Sequence, residues 1–199
     1  MKEIVKIGIF GGSFDPPHLG HLVLADEALQ HLSLDKVLFI PAFHSPFKSE
    51  EQSGRVELRC EMLELAINDH PKFEMDLHEV LRGGTSYTVD TLRHLKEQHP
   101  DDELFLLLGG DTFSEFSSWR EPDEIVKHVR LAVVNRPDFP VDLSSHPYGE
   151  HAVTFPMPLL DISSSGIRNR VAEGKTIRYL VPWQVRTFIE FHGWFRSSG

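Results

Sequence analysis

Two histidines three residues apart, His18 and His21, follow Gly11-Gly12 and Asp15-Pro16-Pro17 in the stretch GIFGGSFDPPHLGHL. An apolar run precedes the stretch and an amphipathic repeat continues from it. An ordinary connection of about 2–6 residues needs no such chemistry. Gly11 and Gly12 let the backbone approach a ligand closely. Pro16 and Pro17 stiffen the turn. On a helix, His18 and His21 share one face. They fall in its first turn, where backbone N–H groups and the helix dipole attract anions. Together these features make a phosphate cradle. HxxH by itself would describe only a turn with two surface histidines. Zinc is a weaker reading, since no third ligand stands nearby and no CxxC is present.

A second stretch, Ile162-Ser163-Ser164-Ser165-Gly166-Ile167-Arg168, brings hydroxyls, N–H groups and an arginine to the start of another helix. Such a group suits phosphate as well. "SSSG" alone would be a flexible turn.

The chain has 199 residues, 40% hydrophobic and 25% charged, as an ordinary soluble domain would. We expect one domain over 1–199, helical from about residue 162. No run approaches the ~18 apolar residues of a membrane helix. The N-terminus has no signal-peptide character. Cys60 is the single cysteine, so no intrachain disulfide forms and a cytoplasmic setting is expected. It falls on the apolar side of its helix and reads as a buried structural thiol. The net charge of −10 argues against coating of nucleic acid. Residues 163–199 nevertheless carry six basic and two acidic side chains. That local excess suits a small anionic ligand or a solvated helix face.

The elements that must position these motifs alternate. Strands are expected at 4–10, 36–41, 103–111, 130–137 and 152–157, and helices at 18–32, 55–68, from Thr88, at 124–129, 162–174 and 182–195. "KFEMDLHEV" reads as extended, and 42–54 and 138–151 read as loops. This alternation predicts an α/β, Rossmann-like, doubly wound and mostly parallel sheet with helices on both faces. Such sheets bind ligands outside the carboxyl ends of their strands. Residues 11–21, 109–111 and 135–137 would all lie at that edge, with 162–168 able to reach it.

GxFDPxHxGH after the first strand, with ISSSGIR some 140 residues later, resembles the signature pair of the nucleotidyltransferase superfamily. Within it, the chain is similar to the bacterial nicotinate-nucleotide adenylyltransferase branch over nearly its whole length. Pro46-Phe47-Lys48, Ser86-Tyr87-Thr88 with Asp90-Thr91, Gly109-Gly110-Asp111, Trp119 and Arg136-Pro137 add to that likeness. The pantetheine-phosphate branch is shorter and lacks SYTxDT. The cytidylyltransferase branch has a different late motif, RTxGIST-like. Ser13 replaces a commoner threonine, and Ser165 is one of two usual choices.

The resemblance implies adenylyl transfer from ATP, as co-substrate, to nicotinate mononucleotide in NAD biosynthesis. It implies Mg²⁺ carried mainly by ATP phosphates, with no dedicated metal cage in the protein. It places Gly11, Gly12, Ser13, Phe14 and Ile162 around ATP, with His18 and His21 on its phosphates. Ser164, Ser165 and Arg168 would take the β,γ side, and Gly109 and Asp111 the ribose. Lys48 would reach phosphate from its loop. Ser86, Tyr87, Thr88, Trp119 and Arg136 would receive the mononucleotide, Trp119 by stacking and the 86–88 backbone by holding the pyridine carboxylate. Alternatives are nicotinamide mononucleotide or another phosphate ester as acceptor, or a nucleotide-binding regulator without activity. Neither nucleic acid nor membrane is an expected partner. Self-association into a homo-oligomer is compatible with the sequence.

Overall fold

The computed structural model describes residues 4–46, 56–135 and 141–196. Lys48 and Arg136 lie outside the described residues. The chain runs β1 (Lys6–Gly12), α1 (Leu19–His31), β2 (Lys36–Pro41), α2 (Val56–Ile67), β3 (Phe73–Met75), α3 (His78–Arg82), α4 (Thr88–Gln98) and β4 (Glu103–Leu108). It continues through α5 (Gly110–Ser114), α6 (Pro122–His128), β5 (Arg130–Asn135), β6 (Ala152–Pro156), α7 (Ser164–Ala172) and α8 (Trp183–His192).

The six strands form one sheet in the order β3-β2-β1-β4-β5-β6. Every pairing is parallel, so the expected mostly parallel sheet is wholly so. The order reverses between β1 and β4, which opens a crevice at their carboxyl ends.

Central parallel strands are buried on both faces and can be apolar throughout. Side chains of β4 alternate between two cores. Phe105 and Leu107 join Val37, Phe39, Met62, Leu63 and Ile167 on one face. Leu104, Leu106 and Leu108 join Ile7, Ile9, Val89, Leu92 and Ile125 on the other. Thus α1, α2, α7 and α8 cover one face, and α4, α5 and α6 the other.

Four segments differ from the sequence expectation. The first strand is Lys6–Gly12 rather than 4–10. The third long strand ends at Leu108 rather than 111, because Gly110 and Asp111 already belong to α5. "HEVLR" folds into the short helix α3 instead of extending β3. The 143–145 and 149–151 segments of the expected loop are 3₁₀ turns.

Gly8 shows how tightly the sheet centre is filled. A Cβ there would stand 2.9 Å from Leu34 Cδ1 and 3.1 Å from Val37 Cγ2. Overfilling a packed core costs about 1–3 kcal/mol. Gly8→Val is therefore expected to lower unfolding free energy by at least about 1–3 kcal/mol in a denaturant titration.

Candidate active site

The turn from Gly11 to Pro17 leaves β1 at the crevice. Phe14 adopts φ 48° and buries its ring against Phe10, Phe39 and His21. Its side chain is therefore core, and only its backbone can meet a ligand. The imidazoles of His18 and His21 stack at 3.6 Å with 20° between their planes. The His18 backbone N–H donates to His21 Nδ1 at 3.2 Å. That bond makes Nδ1 an acceptor, so a neutral His21 carries its proton on Nε2 and can donate from there.

Gly20 permits the stack. A Cβ at that position would lie 3.1 Å from His18 Nδ1. His18 is 6% exposed, and its Nδ1 has no hydrogen-bond partner. Burial pulls its pKa down from 6.5 to about 4. At neutral pH His18 is thus an uncharged imidazole. The first-turn N–H groups are less open than the sequence suggests, since Leu19 N–H donates to the Leu180 carbonyl at 3.0 Å.

The late motif docks on this turn. Ser163 caps α7 by accepting from Gly166 N–H at 3.1 Å. Ser164 Oγ donates to the Pro16 carbonyl at 2.9 Å. Arg168 Nη1 donates to the Asp15 carbonyl at 2.8 Å and lies 3.7 Å from the Asp15 carboxylate. The Ser164 hydroxyl proton is thereby committed to the protein. An anion at this end would be met by the Ser164 and Ser165 backbone N–H groups and the exposed Ser165 hydroxyl. Ile162 supports the turn, packing against the core beneath α1. Three other basic residues of the C-terminal segment act locally: Arg170 Nε donates to the Thr176 carbonyl, Lys175 pairs with Glu173, and Arg186 lies beside Glu190.

A cavity of about 190 Å³ opens beside the turn, with Gly11, Gly12, Ser13, Gly109, Ser86, Thr88 and Trp119 in its lining. A second, of about 320 Å³, shares Ser86, Thr88 and Trp119 and adds Tyr87 and Arg120. Trp119 packs on Phe116 and faces both. The Tyr87 ring carries the Arg120 guanidinium 4.6 Å above it. Asp111 is exposed in the first turn of α5, beside the Gly109 edge but outside the cavity lining. Thr88 and Asp90 do not cap α4 by side-chain bonds, as their placement had suggested. Asp90 instead gathers Arg82, Arg93 and Arg120. Cys60 is half-buried, and burial raises its thiol pKa.

Two charged residues at the site escaped the sequence reading. Glu79 is 6% exposed, lines the first cavity and accepts from Thr91 Oγ1 at 2.5 Å. Burial raises its pKa, with opposing contributions from hydrogen bonds to Thr91 and Ser86. Arg59 is 1% exposed behind the turn.

A fully parallel sheet that gathers HxGH and ISSSGIR at one edge, at its strand-order reversal, has the arrangement of a nucleotidyltransferase. Residues 9–170 match the family described as cytidylyltransferase-like, and the chain belongs to that family. It is 46% identical over 188 residues to a probable nicotinate-nucleotide adenylyltransferase of Geobacillus thermodenitrificans, covering 94% of this chain and 85% of that one. It is 41% identical over 192 residues to a protein of the same name from Thermus thermophilus, covering 96% and 100%. The solved Plasmodium falciparum nicotinic acid mononucleotide adenylyltransferase complexed with NaAD shares the fold, with TM-score 0.79, 22% identity and coverage of 96% and 97%.

Two pH effects follow. The depressed His18 pKa means that the unfolded chain binds a proton the folded chain refuses between about 4 and 6.5. Stability is lost as pH falls through that window. Its His18 component is expected to disappear in His18→Gln, as read from denaturation midpoints across pH. Glu79 has the opposite sign. Its folded pKa lies above the ordinary 4.5, so ionisation costs stability as pH rises past that value. Glu79→Gln is expected to melt higher than wild type at pH 7, with the gap closing below pH 4.5.

Proposed function

We propose that this chain transfers the adenylyl group of ATP to nicotinate mononucleotide, releasing deamido-NAD and pyrophosphate. The observation that carries the reading is the docking of Ser164 and Arg168 onto the carbonyls of Pro16 and Asp15. It makes one edge from two motifs, and the turn within that edge lines the cavity that contains Trp119 and Ser86. The names of the relatives supply the acceptor.

A phosphate oxygen of the mononucleotide attacks the α-phosphorus of ATP, and the α–β bridging oxygen leaves with pyrophosphate. The nucleophile is already an anion, so no strong base is required. Holding two mutually repelling anions in line is the main task. Good orientation can contribute about 7–11 kcal/mol. His21 donates from Nε2 to phosphate, and His18, neutral in the free protein, sits against the same group. Arg168 presents its other N–H donors to the departing pyrophosphate. Gly11, Gly12 and Ser13 line the nucleotide side, Gly109 and Asp111 face its ribose, and Lys48 and Arg136 are assigned to phosphate and mononucleotide.

Mg²⁺ supplies neutralisation of phosphate charge when bound. Among the described residues no three His, Cys, Asp or Glu side chains gather into a cation cage. As the resemblance implies, the ion would be carried mainly by the ATP phosphates. Trp119 offers its face to the pyridine ring. The Ser86 N–H is held by the His44 carbonyl, so the carboxylate falls to the N–H groups of Tyr87 and Thr88, which would reject an amide by setting donors against donors.

The test is pyrophosphate release with ATP and Mg²⁺ on the nicotinate and nicotinamide mononucleotides in parallel. Release with the nicotinate form alone is the expected result. Preference for nicotinamide would remove the carboxylate assignment, and release with neither would remove the reaction. Arg168→Ala is expected to lower kcat about 10²–10³-fold, the usual cost of losing one fixed transition-state donor.

A further inference from the structure

The guanidinium of Arg59, on α2, is enclosed by protein. It bonds to three backbone carbonyls. Nη1 donates to Ser13 O at 2.7 Å, and Nη2 donates to Ala42 O at 2.7 Å and Phe43 O at 3.1 Å. Burial lowers its pKa, and the negative charge of Asp15 opposes that shift. An arginine stays protonated under such conditions, so a full cation lies behind the turn.

The three carbonyls belong to two different loops. Ser13 is in the turn that follows β1. Ala42 and Phe43 follow β2, and Ala42 N–H also donates to the Gly12 carbonyl at 2.9 Å. From there the connection reaches the other cavity. Phe43 N–H donates to Ser86 Oγ at 3.0 Å, and Ser86 N–H donates to the His44 carbonyl at 2.8 Å. One continuous set of bonds thus runs from Gly12 and Ser13, through 42–44, to Ser86.

We infer that Arg59 is a positioning residue that fixes the ATP-side turn and the mononucleotide-side stretch relative to each other. The inference rests on the adenylyl-transfer reading for its two ligands. A trans peptide holds its N–H opposite its C=O. Drawing the Ser13 carbonyl towards Arg59 therefore turns the Phe14 N–H away from it. A planar fork with five donors can span carbonyls from two loops at once, whereas a lysine ammonium is a single compact point. The cation also leaves a positive charge behind the place where phosphate is to bind, without touching it.

The experiment compares wild type with Arg59→Lys, Arg59→Met and Met62→Ala. Met62 is fully buried on the same helix and bonds to neither loop, so its truncation reports simple loss of packing. Amide hydrogen exchange, which needs no activity, is read first. Arg59→Lys is expected to lose protection at Phe43 and Ser86, while β4 and β5 stay protected. Met62→Ala is expected to lower the melting temperature without that local loss. In turnover, Arg59→Lys is expected to raise KM for both substrates together, each about tenfold, as fits the loss of charged hydrogen bonds. Unchanged exchange at Phe43 and Ser86 would overturn the inference. So would a rise in only one KM, the same KM changes in Met62→Ala, or failure of both Arg59 variants to fold. If wild type turns over neither mononucleotide, the adenylyl-transfer reading fails, and the exchange data still judge Arg59.

Discussion

The carbonyls of Asp15 and Pro16 face away from any sheet, in a turn too sharp to satisfy them internally. They receive Arg168 Nη1 and Ser164 Oγ from a helix about 150 residues later in the chain. A buried backbone acceptor left without a donor is costly, so this closure is more than a convenience of packing. It locates α7 against the first turn and leaves the N-terminus of α7 beside His18 and His21. The five crossovers of the parallel sheet bring the late segment back to the starting edge, and these two side chains fix its final position. Leu180 completes the closure by accepting the Leu19 N–H.

On the proposed reading, the site must handle anions inside a protein of net charge −10. It does so with few exposed cations. His18 is neutral in its enclosed position, and His21 is set as a donor by the His18 backbone. Two imidazolium ions 3.6 Å apart would repel strongly, so the stack favours at most one charge. Directional donors of this kind cost little when no ligand is present. Under the proposed reaction they would stabilise a phosphate whose charge grows during transfer.

Much of the architecture is legible in the sequence because the apolar runs agree with the turn chemistry. Lys36–Pro41 and the start of α4 at Thr88 coincide with expectation. The run at 103–108 is long enough to be central, but its glycines belong to the next helix, since a Gly-Gly-Asp end serves both elements. The short helix α3 is hidden by the β-like residues before it. Arg59 illustrates a different failure. A charged residue on an amphipathic helix is ordinarily assigned to its wet face. Yet Arg59 begins the stripe Arg59, Met62, Leu63, Ala66, Ile67, whose spacing marks the buried side. That spacing was the available signal. Glu79 had none, because its partners Thr91 and Ser86 approach it only through the fold. Both signature motifs could be read, but not that the Ser164 proton would go to the protein itself.

The two cavities meet at Ser86, Thr88 and Trp119. This shared wall places the SYT stretch, rather than the histidine turn, between the two cavities. Ser86 is tied to 42–44 by both its hydroxyl and its N–H, and 42–44 are tied to Gly12 by Ala42. Displacing either cavity's wall would therefore strain the other. An enzyme that must bring two anions into line gains from such a linkage, because an error of about 1 Å in their approach can cost about 10²-fold in rate. The rigidity falls on the backbone, while under the proposed reaction His18, His21 and Trp119 would be the surfaces that a ligand meets.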